Sequence, residues 1–131
     1  MGLTQGAVRR GVVVLIRLPH DKARPAVVIR SDLLSELSYA TVLPITTDLR
    51  SGVSLRIDLV PTEENGLRMA SQVMVDWPQT VRFSDMGEVI GRLDAATMQA
   101  ITRQVAVVLG IGSPSGRRYR SVGGGIDPPT D

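Results

Sequence analysis

Residues 11–30 read Gly-Val-Val-Val-Leu-Ile-Arg-Leu-Pro-His-Asp-Lys-Ala-Arg-Pro-Ala-Val-Val-Ile-Arg. The first eight, 11–18, form a β-branched run bounded by Gly11 and Pro19, the mark of a buried strand. Residues 19–25 are a polar loop that holds the chain's only histidine, His20, and its only lysine, Lys22. Residues 26–30 return to β-branched apolars as a second strand. Two such runs, with nothing of helical period between them, set the chain towards a β architecture.

Working outward, Ser31-Asp32 caps a short helical turn reaching about Leu37. Residues 40–46, ATVLPIT, predict a third strand, with Pro44 marking an edge or a bulge. Residues 53–60 alternate apolar and polar, as a half-buried strand does. Asn65-Gly66 signals a turn. Further strands are expected at 71–75 and 88–93, the latter with Gly91 inside it. Asp94 then caps a helix over 95–109, with Met98, Ile101, Val105 and Val108 on one face and Gly110 closing it. Five or six short strands and one C-terminal helix describe a small, strongly bent sheet. A mainly β fold with α, an SH3-like barrel with a helix docked on it, fits these lengths. Residues 112–131 carry no apolar period and are rich in Gly, Pro and Ser, so they are expected as a disordered tail. One domain over 1–111 and a tail over 112–131 is the resulting division.

Composition narrows the function classes. The chain has 131 residues and no cysteine, which excludes disulfides, thiolate metal sites and a cysteine nucleophile. With a single histidine, a zinc site has too few ligands; the expectation is no metal and no cofactor. The apolar run from Val12 to Ile16 is too short for a signal peptide, and no segment has the length of a membrane span, so a cytoplasmic chain without a membrane partner is expected. Net charge is only +2, but 14 of the 15 basic residues are arginine, whose planar fork of donors suits phosphate. That balance permits a nucleic-acid partner without requiring one. No P-loop, dinucleotide-binding glycine motif, zinc-protease helix or nucleophile elbow is present.

The order of short segments is more specific. Arg10-Gly11 opens the first strand. Arg24-Pro25-Ala26-Val27-Val28-Ile29 leads into Ser31-Asp32. Val42-Leu43-Pro44-Ile45-Thr46-Thr47 follows, then Asn65-Gly66-Leu67, Ser71-Gln72-Val73-Met74-Val75-Asp76, Thr80-Val81 and Gly91-Arg92-Leu93-Asp94. In that order and at those spacings the chain resembles the MazF/PemK toxins along residues 9–111. The resemblance implies an SH3-like barrel of the MazF/CcdB type working as a homodimer. It implies a metal-independent, sequence-specific endoribonuclease that cuts single-stranded RNA through attack of the ribose 2′-OH. It also implies a cognate antitoxin with an acidic disordered tail, through which alone operator DNA would be met.

Two residues carry over as the family's catalytic pair: Arg24, matching its "RP" motif, and Thr46, matching its "P-[IVL]-T" motif. A guanidinium and a hydroxyl aimed at the scissile phosphate would stabilise the negative charge that builds there. His20 is the candidate acid/base, because an imidazole titrates near neutrality and shares the loop with Arg24; Asp21 is a weaker candidate. Arg17, Lys22, Thr47, Trp77 and Gln79 are candidate RNA contacts, Trp77 either as a stacking platform for an unpaired base or as a core or dimer-interface residue. Three features depart from the family pattern: Val12 where an acidic residue is common, the short 19–25 loop, and Trp77-Pro78-Gln79-Thr80 after Asp76. Such loops read RNA bases, so the cleavage motif cannot be carried over. Two alternatives remain open on the residues: a catalytically silent barrel that binds RNA or protein, and a CcdB-like topoisomerase poison, which the Arg24-Pro25 and Pro44-Ile45-Thr46 pairing disfavours.

Overall fold

In the computed structural model, the described residues are 5–17, 22–52 and 55–111. The expected tail over 112–131 lies outside them, as do His20 and Asp21. Among the described residues, seven strands and one α-helix follow in order: β1 (Val12–Arg17), β2 (Ala23–Val28), β3 (Tyr39–Thr46), β4 (Arg56–Leu59), β5 (Ser71–Met74), β6 (Gln79–Arg82), β7 (Met86–Arg92) and α1 (Ala95–Val108). The strands form one antiparallel sheet in the order β4-β5-β3-β2-β1-β7, with β6 also pairing to β3. This is the expected mainly β architecture with a C-terminal helix.

The centre of the sheet is β3, and a proline decides how it is shared. Its first half, Tyr39 to Val42, pairs with β6, while Ile45 and Thr46 pair with β5. Pro44 was expected to mark an edge or a bulge; it lies instead inside a strand that is paired on both flanks. Ile29 N–H donates to Thr41 O, so the odd-numbered residues of β3 turn their backbone groups towards β2 and the even-numbered ones towards β6 and β5. The missing N–H of Pro44 therefore falls in the gap between the two partners, where it breaks no ladder.

Pro25 has a matching role in β2. It pairs across to Leu15 of β1, and the β2–β3 ladder ends one residue later, at Ala26 opposite Pro44. Sequence reading placed 19–25 in a loop and began the strand at Ala26. The strand begins at Ala23, because β1 continues to pair through Ile16 with Arg24 and Arg17 with Ala23. Strand β6 was missed altogether. Its four residues Gln-Thr-Val-Arg bury only Val81, too weak a period to find alone, and the partner β3 supplies the reason for the strand.

Two apolar clusters sit on the two faces of the bent sheet. One gathers Val12, Val14, Ile16, Ala26, Val28, Val42, Phe83 and Met86. The other gathers Val13, Val27, Leu43, Ile45, Val73 and Leu93 with Ile101 of the helix, and Met98, Val105 and Val108 pack against it. The helix face read from the sequence is thus a core face. Asp94 Oδ1 caps the helix by accepting from Thr97 N–H at 2.9 Å, and Gly110 at φ 74° closes it. Ser31 caps a 3-10 turn over Asp32–Leu34 by accepting from Leu33 N–H.

The two ends of the sheet meet through a loop rather than a ladder. Arg92 N–H of β7 donates to Glu64 O at 2.8 Å. A Cβ on Gly91 would stand 2.3 Å from the Asn65 carbonyl carbon, and one on Gly66 would stand 2.0 Å from Ile90 O. The Gly91 within a strand and the Asn65-Gly66 turn are thus two halves of one backbone-to-backbone contact. Asn65 holds the loop in shape: its Oδ1 accepts from Thr62 and Leu67 N–H, and its Nδ2 donates to Val60 O.

Candidate nucleic-acid interface

Arg24 and Thr46, far apart in the chain, lie just beyond the end of one ladder, on neighbouring strands. The β2–β3 pairs run Val28 with Val42, Val27 with Leu43, Ala26 with Pro44. The same register carried two residues further sets Arg24 level with Thr46. Directly opposite residues share a face of the sheet. That face is the one of Ala26, Val28 and Val42, so both side chains stand at the margin of the first apolar cluster. Pro25 cannot donate towards β3, and the ladder has ended by this point. Extending the register past its last pair, Ala26 with Pro44, assigns the two residues to the same face of the sheet.

Each side chain has a distinct setting. Arg24 is half-buried, pairs across to Ile16, and has its Nε shut off from solvent. Thr46 ends β3, is half-buried, and accepts from Asp48 N–H through Oγ1 at 3.0 Å. A hydroxyl has two acceptor sites and one donor, so this bond orients the oxygen while its O–H can still donate.

Behind Thr46 lies a polar cluster that sequence reasoning missed. Its hub is Gln72 on β5, the ladder partner of Thr46, with only 6% of its surface exposed. Gln72 Oε1 accepts from Arg50 N–H and from Arg56 Nη1, each at 3.0 Å. Its Nε2 donates to Arg50 O at 3.1 Å and to Asp58 Oδ1 at 2.8 Å. Arg56 Nη1 also donates to Asp48 O at 3.2 Å. The signal in the sequence was a polar residue inside the apolar run 71–75, together with Arg56 and Asp58 at period two on β4.

The other candidates disperse. Arg17 is exposed, pairs with Ala23, and so lies on the opposite face from Arg24; it rims a concavity of about 400 Å³ with Ser84, Asp85 and Glu88. Lys22 is exposed immediately before β2. Thr47 is exposed and borders a groove of about 360 Å³ lined by Leu15, Pro25, Leu67, Met69 and Ile90. Gln79 is half-buried opposite Val42, on the flank of β3 away from Arg24. Trp77 is 55% exposed on the turn between β5 and β6, which rules out a core role within the described chain. Among the described residues, no three acidic or histidine side chains group as a metal site would need. No helix among them is long and apolar enough to cross a membrane.

A bent antiparallel sheet with a C-terminal helix packed on one of its apolar clusters defines a small barrel-like β domain. The profile of the PemK-like, MazF-like toxins of type II toxin–antitoxin systems matches residues 9–109, and the chain belongs to that family. It is 34% identical to Endoribonuclease MazF3 of Mycobacterium tuberculosis over 87 residues, 65% of this chain and 81% of that protein. Among solved structures it is similar to the Mycobacterium tuberculosis toxin MazF-mt6, with a TM-score of 0.66 and 30% identity, covering 76% of this chain and 97% of that one. A mycobacterial endoribonuclease solved with its cognate antitoxin superposes with a TM-score of 0.69 over 79% of this chain and 95% of its own. At 22% identity that last likeness concerns the fold.

Proposed function

We propose that the Arg24–Thr46 pair is the catalytic centre of this toxin and that it cuts single-stranded RNA without a metal ion. The chain is a MazF-like endoribonuclease of a toxin–antitoxin system. In the reaction the ribose 2′-oxygen attacks the adjacent phosphorus. The 2′-O–P bond forms and the P–O5′ bond breaks, giving a cyclic phosphate and a 5′-OH end. The 2′-OH proton is lost and the leaving 5′-oxygen gains one. Negative charge rises on the non-bridging oxygens on the way. The Arg24 guanidinium would meet that charge with a charge-assisted fork, and the Thr46 hydroxyl with a donor whose oxygen is already fixed by Asp48 N–H.

The observation that supports this reading best is the shared register. Two residues 22 positions apart in sequence share one face at a place where the ladder has ended. An arginine stays protonated in proteins and cannot act as the base. His20, four residues before Arg24, is the candidate to take the 2′-OH proton. Arg17, Lys22, Thr47, Trp77 and Gln79 are proposed to contact RNA away from the scissile phosphate, Trp77 by stacking on an unpaired base.

The protein is proposed to work as a homodimer in the cytoplasm. Its antitoxin would cover the RNA groove with an acidic disordered segment, because an arginine fork pairs with carboxylate as well as with phosphate. Operator DNA would be reached only through that antitoxin. The test is cleavage of an RNA oligonucleotide in excess EDTA, with mapping of the new ends. Discrete 5′-OH ends sharing a short motif are expected from the wild type, and none from Arg24→Ala or Thr46→Ala variants that remain folded. Activity lost in EDTA and restored by magnesium would overturn the metal-free reading; uncut RNA would favour a silent binding barrel.

A further inference from the structure

We infer that Gln72 is a positioning residue for the cleavage step, acting through the segment that holds the Thr46 hydroxyl. The inference rests on the reading of Thr46 as a donor to the scissile phosphate. Gln72 spends its amide entirely inside the protein. It accepts two hydrogen bonds and donates two, the full donor capacity of the group. Three of the four serve the segment just beyond Thr46. Two clamp the backbone N–H and C=O of Arg50, and one orients Arg56 Nη1, which reaches on to Asp48 O. Asp48 is the residue whose N–H holds Thr46 Oγ1. The route from the amide to the reacting hydroxyl is therefore continuous: Gln72 fixes Arg50 and Arg56, these fix the peptide at Asp48, and Asp48 fixes the oxygen. The ladder adds a second, direct constraint, because Thr46 and Gln72 are cross-strand partners.

A fold-only role for Gln72 would need far less. An apolar side chain would serve an apolar strand between Ser71 and Val73, and a buried amide is costly wherever it is not satisfied. A satisfied network at this location buys orientation: with Thr46 ending β3, nothing in the strand itself fixes its χ1 against the phosphate. Displacement of a donor by about 1 Å can cost on the order of 100-fold in rate.

The test compares kcat and KM for one RNA oligonucleotide cut by the wild type. Gln72→Met, which keeps volume and loses all four bonds, is expected to lower kcat about 10- to 100-fold with KM little changed. Gln72→Glu keeps the two accepted bonds but sets a carboxylate oxygen against Asp58 Oδ1 and Arg50 O, and is expected to regain part of the loss only when combined with Asp58→Asn, which removes the like charge. Asn65→Asp, at an equally buried amide that staples the β4–β5 loop, serves as the stability control and should lower the melting temperature while keeping kcat. If Gln72→Met does not fold, Arg56→Met carries the test, since it removes only the bridge from Gln72 to Asp48; a lower kcat at unchanged KM is expected. Wild-type kcat in the folded Gln72→Met or Arg56→Met enzyme, or a loss confined to KM, would overturn the inference. Wild-type cleavage by Thr46→Ala would overturn the reading of the site, and this inference with it.

Discussion

Strand β2 has an arginine near its start and another just past its end, and the two live under different rules. Arg30 is 5% exposed; its guanidinium donates to Leu37 O at 3.3 Å, Tyr39 O at 3.0 Å and Val8 O at 3.0 Å, and lies 5.5 Å from the centre of the Phe83 ring. It ties the Val8 segment and the Leu37–Tyr39 segment to the end of β2 through three backbone carbonyls. Arg24 is only half-buried, at a point where the ladder to β3 has ended. In the sequence the two look alike: each is an arginine flanking β-branched apolars. The difference teaches that an arginine surrounded by backbone carbonyls is a structural tie, whereas one left half-buried where a ladder has ended can be given a different part, and catalysis is the part proposed for Arg24.

Substitution at the two sites should separate these roles. Arg24→Ala is expected to lower the cleavage rate about 100- to 1000-fold, with the melting temperature near that of the wild type. Thr46→Ala should match it in kind. A folded Arg24→Ala enzyme with an undiminished rate would make Arg24 a structural arginine after all. Arg30→Ala should do the reverse. It removes three hydrogen bonds from a buried guanidinium and is expected to destabilise the chain by about 3 kcal/mol, read by urea titration. The protein that remains folded should cut RNA at close to the normal rate.

Lysine replacements sharpen the comparison. Arg24→Lys keeps the charge and loses the fork, so its rate should fall between those of the wild type and Arg24→Ala. Arg30→Lys offers a point donor to three carbonyls set about a planar group, and should lose part of the stability with little effect on rate.

The smallest effect is far from both arginines. Hydrogen bonds from Thr97, side chain first and then backbone, hold the Asp94 carboxyl below its ordinary value of 3.8. A carboxylate with a depressed folded-state pKa stabilises the fold above its unfolded value, and that contribution is lost as pH falls through the folded one. Between about pH 5 and pH 2, the wild type should therefore lose slightly more thermal stability than Asp94→Asn, which caps the helix without titrating. Equal losses in the two proteins would show that the cap adds no pH dependence.

Much of the fold was legible because local chemistry and final structure agree. The runs 11–18 and 40–46 carry enough β-branched residues to be strands in almost any context, and Asp94, Gly110 and the face of Met98, Ile101, Val105 and Val108 fix the helix by capping and period alone. Strand β6 was not legible, since four residues with one buried apolar need a partner strand to become a strand. The start of β2 was misread for a related reason: Ala23, Arg24 and Pro25 look like loop residues until β1 is laid beside them. Of the site, Arg24 and Thr46 were singled out through a family pattern, and nothing in their own surroundings would have marked them. Gln72 was passed over because one polar residue in a strand is ordinary, and its four bonds reach residues up to 22 positions away.

By itself the sequence determined which segments are strands and helix, which face of the helix is apolar, and which chemistry lacks the residues to occur at all. These follow from composition, period and capping, which act over a few residues. The tertiary structure decided what no local rule contains. It chose a ladder register that sets Ala26 opposite Pro44, and a proline position that lets β3 serve two partners. It packed Gly91 against the Asn65 backbone, and it buried Arg30 among carbonyls while leaving Arg24 half-buried. The physical reason is common to all four. A register, a backbone contact or a buried carbonyl exists only between segments distant in the chain, and its free energy appears only once both are in place.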